Sequence, residues 1–313
     1  MIFLFMKKKI KVFLLLFLLI ITTGCTKTLT DSNKKPVKNE VTGQTLTKNI
    51  LCQPTNKKTE EIYREYKVKI DQLPKCKDFK INSGKYEGLW NSLFVKPLAF
   101  ILLKLGEFVK NYGISVIIVS LFIRLIAYPI TKKTAMQSEL MKKAQPELNR
   151  IQKKYANKND QESMIKQNQE MMMVYKKYNI NPLGGCLLAF LQLPVFLAFF
   201  EAIQRIPVIF EDKLLKLQLG TTPMVGFSTH SFYAYIILMI IIAFTTFFAF
   251  KMNTGGNSED PTMKMMPTMM SVMIIITALF MPTGLGIYWV TTNLFTILQN
   301  ILVKRSKEVH GKA

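Results

Sequence analysis

Tyr112 to Thr131 reads YGISVIIVSLFIRLIAYPIT, a long apolar run interrupted by one arginine. At a helical rise of about 1.5 Å per residue it covers about 30 Å, the thickness of a bilayer's hydrocarbon core. Arg124 lies inside it, where a guanidinium costs about 2.5–3.5 kcal/mol on insertion scales. Helical steps of four, four and three put Ser120, Arg124, Tyr128 and Thr131 on one face, with Ile, Val and Leu over most of the rest. The stretch is predicted to be a spanning helix with one polar stripe.

The same grammar recurs along the chain. Of 313 residues, 49% are hydrophobic, yet the formal net charge is +22. The apolar residues lie in blocks at 12–21, 113–130, 183–203, 232–250, 265–281 and 284–303, and the charge lies between them. On a soluble protein such a basic excess would point to nucleic acid. Interleaved with spanning segments, it sets topology and meets anionic lipid. His230 and His310 are the only histidines, which argues against a histidine-rich metal centre. There is no GxxxxGK phosphate loop and no nucleophile elbow, so neither an enzyme nor a bound cofactor is expected.

Residues 1–24 are predicted to be a cleaved signal peptide, with Lys7, Lys8, Lys9 and Lys11 before VFLLLFLLII. The run ends at Thr22-Thr23-Gly24-Cys25, which resembles the lipobox of bacterial lipoproteins. That resemblance implies a diacylglycerol and an acyl chain on Cys25. Thr22 departs from the leucine commonest three before the cysteine. Residues 25–87 are Lys-, Thr- and Asn-rich and are expected to form a mobile, lipidated extracytoplasmic linker. Cys52 and Cys76 could pair there, although two cysteines impose no framework. Residues 88–110 place Trp90, Leu93, Phe94, Leu98, Leu102, Leu105 and Val109 largely on one side. Lys96, Lys104 and Glu107 fall on another, the pattern of a helix lying in the headgroup plane with Trp90 at the boundary.

The remaining chain is predicted to alternate across the membrane. The first span covers 111–131. Residues 132–179 carry lysines at 132, 133, 142, 143, 153, 154, 158, 166, 176 and 177 plus Arg150, against Glu139, Glu147, Asp160, Glu162 and Glu170. That excess places them in the cytoplasm. Met136, Leu140, Ala144, Leu148, Ile151 and Tyr155, then Met164, Met171, Tyr175 and Tyr178, predict two antiparallel helices, with Pro146 bending or interrupting the first. Further spans follow at 183–205, 232–250, 265–281 and 284–303. They are joined by an extracytoplasmic loop (206–231) and a cytoplasmic loop (251–264), and a basic tail (304–313) ends inside. The expected fold is thus an all-α polytopic membrane protein with five transmembrane helices, an interfacial amphipathic helix and a cytoplasmic helical hairpin.

Depth groups the polar residues. Arg124 is eight residues from Lys132, about 12 Å at helical rise. Gln192, Thr245, Thr246, Thr292, Asn293, Thr296 and Gln299 also fall in or near the inner half, and the outer halves read as apolar with only Tyr and Trp. Any single threonine could simply bond to a neighbour, at about 0.6 kcal/mol, and Arg124 could snorkel. No Asp or Glu stands at the level of Arg124, so the cation calls for water. The spacing therefore predicts a hydrated recess, open to the cytoplasm and closed outside, with Met265, Met266, Met269, Met270 and Met273 as adaptable apolar neighbours.

From about Gly88 to Lys307 the chain resembles the YidC/Oxa family of membrane protein insertases. The resemblance rests on FIRLIAYPITKKTAMQSELMKKAQPELNRIQKKY, NPLGGCLLAFLQLPVFLAFF and MPTGLGIYWVTTNLFTILQN. It implies that Arg124 is the groove arginine receiving a client's extracytoplasmic segment. It further implies nascent membrane proteins as clients, the Sec translocon, ribosome and signal recognition components as partners, and the lipoprotein form of monoderm bacteria. Ser120, Tyr128, Gln192, Thr245, Thr246, Thr292, Asn293, Thr296 and Gln299 are the groove positions expected from depth and helical face. The competing class, a solute transporter or channel, would call for inverted repeats or a path of acids, and neither is evident.

Overall fold

The apolar run that opens at Tyr112 does not stop at Thr131. In the computed structural model, which describes residues 26–40, 42–158, 160–181, 184–253 and 261–310, one helix runs from Tyr112 to Tyr155 through both Pro129 and Pro146. The expected break at Pro146 is absent. Proline there forfeits one hydrogen bond, but Ala144 and Leu148 on either side of it are buried in a core shared with Val174 and Ile180, which holds the helix together.

The helices are α1 (Lys57–Glu65), α2 (Lys96–Val109), α3 (Tyr112–Tyr155), α4 (Gln161–Lys177), α5 (Gly184–Arg205), α6 (Pro207–Phe210), α7 (Pro223–Gly226), α8 (Phe232–Asn253), α9 (Pro261–Leu279) and α10 (Thr283–His310). The protein is mostly helical rather than wholly so, because β1 (Lys213–Leu214) and β2 (Leu217–Gln218) pair antiparallel. Among the described residues, α3 and α8 are long and apolar enough to cross a membrane. The expected signal peptide, Cys25 and residues 254–260 of the expected cytoplasmic loop lie outside the described residues.

The chain divides into two compact units. The first takes in residues up to Val119, Gln192–Tyr235 and Met281–Ile287. Its amino-terminal segment is not the mobile linker expected from composition. Leu29, Leu46, Ile50, Tyr63 and Ile70 converge on Phe210 in a buried core, and Cys52 is bonded to Cys76. Bridges pair Thr28 with Thr47, Lys38 with Thr45 and Gln53 with Lys75. Composition misleads here because the segment's few apolar residues close on a phenylalanine supplied from much later in the chain.

Trp90 also departs from expectation. It is 1% exposed, packed inside the protein, and its indole N–H donates to Glu201 at 2.8 Å. Lys96, placed by spacing on the polar side, is buried, and its ammonium donates to the carbonyls of Ser83 and Lys85. The buried face of α2 carries Leu98, Ala99, Leu102 and Leu103. At its end Gly106 faces Tyr112, whose ring would lie 2.1 Å from an added Cβ, so no larger residue fits.

The second unit comprises Ser120–Leu191, Ile236–Phe280 and the chain from Tyr288 onward. The end of α3 and all of α4 form an antiparallel pair around Ala144, Leu148, Val174 and Ile180. Asp160 starts α4 by accepting the amide of Ser163.

Candidate functional site

The residues of the predicted α3 stripe lie in the second unit. Ser120 and Thr131 are buried, and Arg124 and Tyr128 are half-buried. Arg124 Nε is shielded from solvent and makes no hydrogen bond among the described residues. Buried Tyr288 on α10 lies within its electrostatic reach. An apolar helix can place a guanidinium here only at a desolvation cost, because no carboxylate answers it among the described residues.

The polar side chains of α8 and α10 meet at Thr246. Its hydroxyl accepts from Trp289 Nε1 at 3.1 Å and from Asn293 Nδ2 at 3.0 Å. Trp289 and Asn293 are one helical step of four apart, so one oxygen receives two donors from a single face of α10. Further along α10, Thr131 donates to Gln299 Oε1 at 2.9 Å. Asn300 donates to Asn253 at 3.0 Å, and Ser138 donates to the carbonyls of Met252 and Asn253.

Other predicted positions do less. Thr245 donates to the Ile241 carbonyl, Thr292 to Trp289 and Thr296 to Thr292, each within its own helix. Gln192 belongs to the first unit, where it is half-buried. Trp289, Asn253, Asn300 and Ser138 were not singled out from sequence, although Trp289 and Asn300 share the stride of Asn293 and Thr296.

The first unit holds a buried charged cluster. Arg205, 1% exposed, donates from Nε to the Asn49 carbonyl, from Nη1 to Asn91 and Glu201, and from Nη2 to Glu87. The backbone completes the joint, with Leu51 N–H donating to the Arg205 carbonyl and the Thr47 hydroxyl to that of Gln204. Opposite charges four apart at Glu201 and Arg205 were the available signal.

The α3–α4 pair carries a repeated motif: Glu147–Tyr155 reads ELNRIQKKY and Glu170–Tyr178 reads EMMMVYKKY. The copies run antiparallel and clasp each other. Lys154 and Tyr155 both donate to Glu170, and Lys177 and Tyr178 both donate to Glu147. These bonds hold both carboxyls below the usual range. Between them lies an open groove of about 510 Å³ lined by Ile151, Met173 and Val174.

Residues 104–310 match the family described as 60Kd inner membrane protein. The chain is 37% identical over 228 residues to the membrane protein insertase YidC of Oceanobacillus iheyensis, covering 70% of this chain and 85% of that one. It is 36% identical over 231 residues to membrane protein insertase YidC 2 of Bacillus anthracis, covering 73% and 86%. With membrane protein insertase MisCA of Bacillus subtilis the identity is 35% over 217 residues, covering 69% and 79%. A crystal structure of an active YidC insertase with its first transmembrane domain resolved shares the fold at a TM-score of 0.50 and 22% identity. That match covers 77% of this chain and 52% of the solved one, so the chain spans about half the length of that structure.

Proposed function

Because the chain belongs to the 60Kd inner membrane protein family, that of the YidC insertases, we propose that it inserts and folds integral membrane proteins through a hydrated recess centred on Arg124. One observation carries the reading: Arg124 Nε is buried and without a hydrogen-bond partner among the described residues. A guanidinium in that state keeps its charge at acceptable cost only if water reaches it. A wet pocket partway through the membrane shortens the hydrocarbon path of a client's polar or acidic segment. It lowers that barrier without covalent chemistry, as a chaperone does rather than an enzyme.

Ser120, Tyr128, Thr245, Thr246, Thr292, Asn293, Thr296 and Gln299 are assigned to the recess, with Thr246, Trp289 and Asn293 bracing its wall. Five spans (111–131, 183–205, 232–250, 265–281 and 284–303) cross the bacterial plasma membrane, amino terminus outside and carboxyl terminus inside. The lysine excess of 132–179 supports that orientation. The segment over 26–87 is then an extracytoplasmic cap anchored by a lipidated Cys25. The interfacial helix meets lipid through Leu89, Leu93, Ile101 and Phe108, exposed at helical spacing, rather than through buried Trp90. The clasped α3–α4 pair receives clients and the Sec translocon, ribosome or signal recognition components.

The test replaces Arg124. Arg124→Ala is expected to impair insertion of clients with acidic outer tails, Arg124→Lys to retain much of it, and a photo-crosslinker at 124 to capture nascent clients. Full activity of Arg124→Ala on such clients, with no cross-link, would contradict the role.

A further inference from the structure

We infer that the β1–β2 hairpin is a membrane-contacting tip that seats Leu215 in the interfacial zone of the outer leaflet. Leu215 occupies the turn with φ +56° and is 90% exposed. Glycine or asparagine would adopt that left-handed backbone more readily. An aliphatic side chain is instead held there against its backbone preference while contributing almost nothing to the protein's own core. Its apolar partner lies outside the chain.

The hairpin's attachments identify that partner as lipid. Asp212, just before β1, accepts the Tyr112 amide at 2.7 Å and so caps α3. Asn111 donates to the Lys213 carbonyl at 2.9 Å. On the other side Lys216 donates to the Tyr233 hydroxyl and lies 5.0 Å from that ring's centre, and Gln218 N–H donates to Tyr235 at 3.1 Å. The tip is therefore bolted to the first residues of α3 and α8, which among the described residues are the two helices long and apolar enough to cross a membrane. Phe108 is 83% exposed and Phe232 49%, and Lys110 and Lys213 are exposed nearby in sequence. Aromatics and lysines at the ends of spanning helices mark the headgroup level. An aliphatic tip there reaches the acyl boundary, and the lysines match anionic headgroups.

The inference rests on the proposed spanning topology, not on insertion activity. The full chain, carrying Cys186→Ala to remove a competing thiol, is reconstituted in phosphatidylglycerol–phosphatidylethanolamine vesicles with the fluorophore NBD on Leu215→Cys. Nitroxide at a shallow acyl carbon is expected to quench the tip at least twofold more than aqueous iodide does, and likewise for Phe108→Cys. Lys58→Cys on α1 is the iodide-quenched reference. Should Leu215→Cys fail to assemble, Phe108→Cys carries the same test. Iodide quenching at both positions equal to the reference overturns the inference, as does cross-linking of the tip to a nascent client without lipid quenching. A water-exposed tip in a protein that inserts clients normally overturns this inference and leaves the insertase reading standing. Lipid quenching of the tip in a protein that keeps Arg124 yet inserts no clients supports it and counts against the insertase reading.

Discussion

Lys177 on α4 lies 2.6 Å from the carboxylate of Glu147 on α3, and Lys154 on α3 reaches back to Glu170 on α4 at the same distance. Each carboxyl is held below its ordinary value, chiefly by its lysine hydrogen bond and then by its tyrosine. A depressed carboxyl stabilises the folded state above the ordinary carboxylate value, and the contribution is lost as pH falls through the folded value. The lysines are raised by the same bonds, so their contribution is lost only as alkaline pH passes through the raised value. Amide exchange at Ile151 and Val174, taken relative to its intrinsic rate at each pH, is expected to be slow at neutral pH and to quicken on acidification. Glu147→Gln with Glu170→Gln is expected to quicken it already at neutral pH. Identical exchange in wild type and double variant would remove the clasp from the account.

The Cys52–Cys76 bond closes a loop that contains α1 and core residue Tyr63. Loops of this size contribute about 3 kcal/mol by restricting the unfolded chain. Limited proteolysis is expected to leave 26–87 intact in the oxidised protein and to cut within it after reduction or in Cys52→Ser. Equal cutting in all three would mean that the core alone holds the segment.

Arg205 satisfies two carboxylates and a carbonyl from a fully buried position. Arg205→Met leaves Glu87 and Glu201 without their cation, and breaking a buried pair from one side costs about 3–5 kcal/mol. A lowered melting temperature in detergent is expected, with partial recovery when Glu201→Gln is added. A Tm unchanged by Arg205→Met would show the cluster to be dispensable.

Thr246→Val keeps shape but removes the acceptor shared by Trp289 and Asn293. Two polar groups then lose their partner, at about 0.6 kcal/mol for an average membrane hydrogen bond and up to about 1.7 kcal/mol. Client insertion is expected to fall severalfold while Thr277→Val, which strips only a bond to its own helix, stays near wild type. The two variants behaving alike would remove Thr246 from its bracing role.

Periodicity made the polar stripe of α3 and the α3–α4 pair legible, because both follow from contacts between residues three or four apart. The Thr131–Gln299 and Thr246–Asn293 ties were legible only as shared depth, since neither face of α10 names its partner on another helix. Three features escaped for a common reason. The amino-terminal core needs Phe210, the burial of Trp90 needs Glu201, and the burial of Arg205 needs Glu87 and Asn49, all distant in sequence. Pro146 misled in the opposite direction, a local rule overruled by packing on α4.

Solvent is proposed to reach the level of Arg124 from the cytoplasmic side alone. Thr296→Cys, on the helical face that bears Thr292 and Gln299, offers a direct probe. In inverted vesicles a membrane-impermeant maleimide is expected to label it, and in right-side-out vesicles to leave it unmodified, with Arg124→Ala labelled less. Labelling from neither side, or from the outside, would contradict a cytoplasm-open recess.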